Sequence, residues 1–135
     1  MNKLQADVFK EKGNKACKHK KYQEAVELYT KALDLYESAI YYTNRSFAKL
    51  KLGNPQDALN DANRAIKLDK DYTKSYNRRA DAYFALGSYQ CALEDYRKVD
   101  NVYPSGSSIK ERIEECNKLL NQGDVYRNVC ICTIK

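Results

Sequence analysis

Residues 48–69 read AKLKLGNPQDALNDANRAIKLD, and the same pattern stands upstream in NKACKHKKYQEAVELYTKALDLY (14–36) and downstream in ADAYFALGSYQCALEDYRKVDNVYP (80–104). An alanine marks one phase of each segment, at Ala25, Ala58 and Ala92, so that successive units are offset by 33 and then 34 residues. A self-similar period of this length belongs to stacked helical repeats, in which no unit buries its apolar face alone and each leans on its neighbours.

Within each unit, apolar residues recur at steps of three and four on both sides of a turn signal, which predicts two amphipathic helices joined by a short turn. The turns fall near Lys20-Lys21, Gly53-Asn54-Pro55 and Gly87-Ser88. Pro55 opens a helix, where its missing N–H would have no partner in any case. The expected helices are 6–19 and 22–36, 39–51 and 55–68, and 73–86 and 89–101. Repeats then span about 6–38, 39–72 and 73–106.

Beyond Pro104-Ser105-Gly106, the segment SSIKERIEECNKLLNQG begins on capping serines and carries Ile109, Ile113, Cys116 and Leu120 on one stripe. This predicts a capping helix over 107–121 that covers the last repeat. The expected domain is therefore 1–122, with a tail of unassigned structure over 123–135 that contains the β-prone run VCICTI.

The bulk numbers restrict the function. A chain of 135 residues with 43% hydrophobic content holds one sizeable core. No run approaches the roughly 18 apolar residues that cross a bilayer, and the N-terminus carries no signal-peptide pattern, so a cytoplasmic or nuclear protein that does not engage membrane is expected. Five cysteines (Cys17, Cys91, Cys116, Cys130, Cys132) form no dense, even framework, and reduced thiols are expected. Cys130 and Cys132 make a C-x-C pair, but with His19 the only histidine a four-ligand zinc site is short of donors, so neither metal nor cofactor is expected. The formal net charge of +6 favours negatively charged partners.

Gly13, Ala25, Tyr29 and Ala32, then Tyr42, Gly53, Ala58 and Ala65, then Tyr76, Tyr83, Gly87, Ala92, Tyr96 and Pro104 resemble the signature positions of the tetratricopeptide repeat family. The resemblance implies an all-α, right-handed solenoid of three helix-turn-helix repeats plus the capping helix. Small residues at these positions let helices approach, and the tyrosines are expected in the core. Two departures stand out. Lys70 occupies the place of a helix-ending proline, and the first unit, with Glu37 there, is one residue short.

The first helix of each pair is expected to line the concave face of such a stack, so function is sought there. Lys10 and Asn14 are four apart and share a face, as do Lys74 and Arg78, with Asn44 between them in the stack. The segments KEKGN (10–14), TNRS (43–46) and TKSYNRR (73–79) closely resemble the carboxylate-clamp segments of tetratricopeptide co-chaperones. Carried over by position, the clamp set is Lys10, Asn14, Asn44, Lys74 and Arg78. In that family the clamp holds the Glu-Glu-Val-Asp end of heat-shock chaperones of the ninety- or seventy-kilodalton class.

Chemistry alone asks for the same residue types. Two carboxylates at a peptide's end need fixed donors, which lysine supplies as point charge, arginine as a planar fork, and asparagine as an amide that also accepts from peptide N–H groups. Phe47 and Lys51 continue the face of Asn44 and are expected to border the groove, Phe47 as apolar floor or as core.

The stretches AIYYTNRS (39–46), RAIKLDKDYTKSYNRRA (64–80) and EECNK (114–118) look most like the repeat domain that targets a family of serine/threonine phosphatases, though no phosphatase residues occur here. An adaptor or an excised targeting domain, not an enzyme, is implied. Two alternatives are a repeat scaffold for another partner and a basic RNA-binding surface. Most of the 12 tyrosines fall at core phases, which leaves few for base stacking and argues against nucleic acid. No phosphate-cradling loop or nucleophile motif points to a small-molecule substrate.

Overall fold

The computed structural model describes residues 2–104 and 106–122. Among them seven helices follow one another: α1 (Asn2–Lys18), α2 (Tyr22–Leu35), α3 (Ala39–Lys51), α4 (Pro55–Leu68), α5 (Thr73–Ala85), α6 (Tyr89–Val102) and α7 (Ser107–Gln122). Pairs α1·α2, α3·α4 and α5·α6 pack as hairpins, each consecutive pair packs on the next, and α7 lies on α6. The inner helices α1, α3 and α5 also touch one another in sequence, which makes them one layer. The expected tail, with VCICTI and the Cys130–Cys132 pair, lies outside the described residues.

The repeat alanines are what let the hairpins close. Ala25, Ala58 and Ala92 are fully buried, as are Ala62 and Ala65 on α4. A methyl side chain at such crossings brings two backbones near without a void. In the first hairpin the ring of Tyr29 fills the space above Gly13, and a Cβ there would come 2.6 Å from its Cε1. Glycine is therefore required by packing at that position. On α7, Ile109, Ile113 and Leu120 are partly buried and Cys116 wholly so, against a cluster that includes Ala80, Tyr83, Leu93 and Tyr96.

Three boundaries or core assignments differ from expectation. Helix α1 begins one turn early, at Asn2, because Lys3, Leu4 and Gln5 are good helix formers although Leu4 stays 73% exposed. Tyr42 is only partly buried, its hydroxyl donating to Glu37 Oε1 at 3.2 Å, whereas its neighbour Tyr41 is buried and donates to Asp7. Cys17 and Cys116 are free thiols, but Cys91 is disulfide-bonded, against the expectation of reduced thiols throughout. At Lys70, in place of proline, the backbone is fixed by other means. Its carbonyl accepts from the Tyr76 hydroxyl at 2.9 Å, and Asp69 Oδ1 accepts from the N–H of Asp71 at 3.0 Å.

All three intra-repeat turns are built alike. Asn54 N–H bonds Lys49 O and Ser88 N–H bonds Tyr83 O, both at 2.9 Å, with Gly53 and Gly87 at φ of 82° and 81°. This is the helix-ending motif that needs a left-handed residue. In the first unit Lys21 N–H bonds Ala16 O at 2.8 Å, and the left-handed residue is Lys20, with φ 61°. A residue with a Cβ is held there at a cost of roughly 1–2 kcal/mol, partly offset on replacement by glycine's greater freedom when unfolded. Lys20→Gly is accordingly expected to stabilise the domain by about 0.5–1 kcal/mol. Denaturant unfolding checks this, and a variant less stable than the parent would count against the account of the turn.

Candidate functional site

The inner layer carries a cleft of about 190 Å³. Asn14 from α1, Asn44 and Phe47 from α3, and Lys74 and Arg78 from α5 stand on its walls, completed by Cys17, Tyr29 and Thr43. Side chains from three units thus meet in one place. They do so because positions 14, 44 and 78 fall on the same side of successive parallel helices in the layer.

Lys10 is not among them. It lines a separate depression of about 370 Å³ together with Asp7, Tyr36 and Glu37. Its ammonium lies 3.2 Å from Glu11 Oε1 and 4.0 Å from Asp7 Oδ1, so local carboxylates draw it back along its own helix.

Charge and apolar surface are interleaved around Phe47. The Arg78 guanidinium sits 4.8 Å above the Phe47 ring centroid, and the Lys51 ammonium 5.5 Å from it. Tyr22 meets the same ring edge-on at 6.3 Å. Phe47 thus lines the cleft, whereas Lys51 is not among its lining residues and reaches it only through the Phe47 ring. Cations over an aromatic face are stabilised by the ring quadrupole, which also restrains where the guanidinium points. Lys74 lines the cleft as an exposed residue.

Two residues that hold the site together were not anticipated. Asp81, one turn beyond Arg78, accepts from Arg78 Nη1 at 3.1 Å and from the hydroxyl of Tyr96 at 2.5 Å. Among the described residues this bond uses one N–H of the guanidinium, and the other N–H groups of the fork can meet a ligand. Tyr29 donates to Asn14 Oδ1 at 2.6 Å, and Asn44 Nδ2 donates to the same oxygen at 3.2 Å. A signal for both was present in the repeat itself: residues 29 and 96 lie 67 apart, and so do residues 14 and 81.

Titration behaviour suits binding more than reaction. Burial pushes the Cys17 thiol up, partly offset by its hydrogen bond with the Tyr29 hydroxyl, so this cysteine stays a neutral wall of the cleft. Burial likewise raises the Tyr29 hydroxyl far above the usual tyrosine range. What the cleft offers is a set of amide N–H groups, one guanidinium and one ammonium above an apolar floor. That combination recognises an anion attached to a small apolar group. Among the described residues, no group of three potential metal ligands stands together, and no helix is long and apolar enough to cross a membrane.

A family model described as tetratricopeptide repeat matches residues 48–105. The chain superposes on the first such domain of Spaghetti (RPAP3), solved bound to the HSP90 peptide SRMEEVD, with a TM-score of 0.85 and 36% identity, covering 88% of this chain and 95% of that one. The chain belongs to the tetratricopeptide repeat family. The second tetratricopeptide domain of human RPAP3, solved with the HSP70 peptide SGPTIEEVD, is also similar, with a TM-score of 0.80, 30% identity and coverage of 87% of this chain and 98% of that one. Among curated relatives, the human serine/threonine-protein phosphatase 5 is 44% identical over 118 residues, which is 87% of this chain and 24% of the phosphatase. The tetratricopeptide domain described here thus spans about a quarter of that relative's length.

Proposed function

We propose that this tetratricopeptide domain binds the acidic, Glu-Glu-Val-Asp-type C-terminal tail of a cytosolic heat-shock chaperone of the ninety- or seventy-kilodalton class. It acts as the co-chaperone, adaptor or targeting part of whatever it is joined to, and takes no catalytic step of its own. Binding to such a partner implies work in the cytoplasm, with the nucleus also open to it. The observation that carries the reading is the convergence of Asn14, Asn44, Lys74 and Arg78 on one cleft floored by Phe47. Similar domains solved with peptides ending in EEVD support it.

A terminal aspartate presents two carboxylates a few ångströms apart, preceded by a valine. In this arrangement Asn14 and Asn44 donate to the terminal carboxylate, Lys74 and Arg78 neutralise the aspartate side chain and a preceding glutamate, and Phe47 takes the valine. Lys10 joins by swinging its four-carbon stem away from Glu11 once a stronger anion arrives. Ordering a flexible tail opposes these gains, so a micromolar dissociation constant is the natural scale.

Calorimetric titration with a Met-Glu-Glu-Val-Asp peptide and its C-terminally amidated form tests the proposal. The amide lacks one charge-assisted contact, worth roughly 1.5–3 kcal/mol, and is expected to bind at least about tenfold more weakly. Equal affinity would remove the clamp. Raising salt from about 0.1 M to about 1 M shortens the screening length from roughly 10 Å to roughly 3 Å, and the free-acid affinity should fall accordingly.

A further inference from the structure

The amide of Asn14 is held from behind. Its Oδ1 accepts from the Tyr29 hydroxyl, on α2, at 2.6 Å and from Asn44 Nδ2, on α3, at 3.2 Å. An amide oxygen has two lone pairs, so both are engaged inside the protein. What Asn14 has left for the cleft is its NH₂ group. An unrestrained asparagine could turn either end to a ligand; this one is set as a donor.

We infer that the Tyr29 hydroxyl is a positioning group that makes Asn14 a donor-only reader of the ligand's terminal carboxylate. The inference rests on the peptide-binding function proposed above and concerns how that site tells an acid from its amide. Tyr29 then has two separable roles. The ring fills the space over Gly13, where a Cβ would come within 2.6 Å, and the hydroxyl sets the groove's hydrogen-bond polarity.

The third unit repeats the device. Tyr96 stands at the phase of Tyr29 and Asp81 at the phase of Asn14, each 67 residues on, and the Tyr96 hydroxyl donates to Asp81 Oδ1 at 2.5 Å. Asp81 in turn holds Arg78 at 3.1 Å. The middle unit has Ala62 and Phe47 at the corresponding phases, so the hydrogen-bonded pair is replaced there by the apolar floor. Burial keeps both tyrosine hydroxyls protonated far beyond neutral pH, as a permanent donor requires.

The test compares free-acid and amidated Met-Glu-Glu-Val-Asp peptides on the wild-type domain, Tyr29→Phe, Asn14→Ala and the double variant. Tyr29→Phe is expected to weaken free-acid binding by about three- to tenfold while leaving the amidated peptide nearly unaffected, so that the ratio of affinities narrows. In the Asn14→Ala background it is expected to add nothing. A purely structural tyrosine would lower the melting temperature and leave the ratio alone. An unchanged ratio, or additive losses in the double variant, would overturn the inference.

A second measurement needs no variant. The Asn14 side-chain NH₂ resonances of the wild-type domain should shift further with saturating free-acid peptide than with saturating amide, whose carbonyl is a weaker acceptor than a carboxylate; equal shifts with both, or a shift with neither, overturn the assignment. A wild-type domain indifferent to amidation overturns the proposed function and this inference together. A selective wild type with an equally selective Tyr29→Phe overturns the inference alone.

Discussion

Arg78→Ala is expected to reduce affinity for the free-acid peptide by between about tenfold and a hundredfold, the range of one charge-assisted contact. The upper end is favoured by what the arginine leaves behind. Asp81 keeps its bond from Tyr96 at 2.5 Å but loses the guanidinium that pairs with it, so a carboxylate then faces the incoming acidic tail. The floor changes too, because the guanidinium at 4.8 Å from Phe47 no longer covers the ring. Lys74→Ala removes charge at an exposed rim and should cost less. Adding Asp81→Asn to Arg78→Ala should recover part of the loss by lifting the repulsion, whereas Arg78→Lys restores charge without the fork and should sit between. Calorimetry on the four variants decides this, and an Arg78→Ala domain that binds like the parent would place the ligand elsewhere.

The largest effect on stability is expected at Asp61. This buried carboxylate takes Arg45 in a two-point fork, both distances 2.8 Å, and Lys49 at 3.0 Å. Asp61→Ala strands two cations that are less than one-fifth exposed, and removing one partner of such a pair costs about 3–5 kcal/mol. Replacing the whole group, with Asp61→Leu, Arg45→Met and Lys49→Met together, should be far milder, since it removes the desolvated charges along with their attraction. Denaturant unfolding separates the two designs. A loss under about 0.5 kcal/mol for Asp61→Ala, the ordinary surface range, would show that water screens the cluster. The third unit carries the same fork 34 residues on, with Arg79 Nε at 2.7 Å from Asp95 Oδ2. There burial pushes the Asp95 carboxyl up despite the lowering pull of Arg79, the mark of a charge held against a desolvation cost.

These two forks show where reading the chain alone stops. Arg45 and Asp61, or Arg79 and Asp95, are 16 residues apart on different helices, and no local period links them. Tyr41 and Tyr42 are adjacent, and the choice of which one is buried turned on a partner 34 residues away, Asp7. Lys20 gave no glycine signal, yet it adopts the left-handed turn because the α1–α2 hairpin closes as its two successors do.

The amino-acid order determined the number of units, their offsets of 33 and 34, the helical faces, and the residue types that reach the inner layer. It could do so because helix phase is local: a side chain's face follows from its neighbours three and four positions away. Only the tertiary structure decided how those side chains are turned, with Lys10 drawn back to Glu11, Asn14 pinned by Tyr29, and Arg78 tied to Asp81. Rotamers and amide orientation answer to hydrogen bonds and charges, and most of those arrive from helices distant in sequence, which periodicity does not encode.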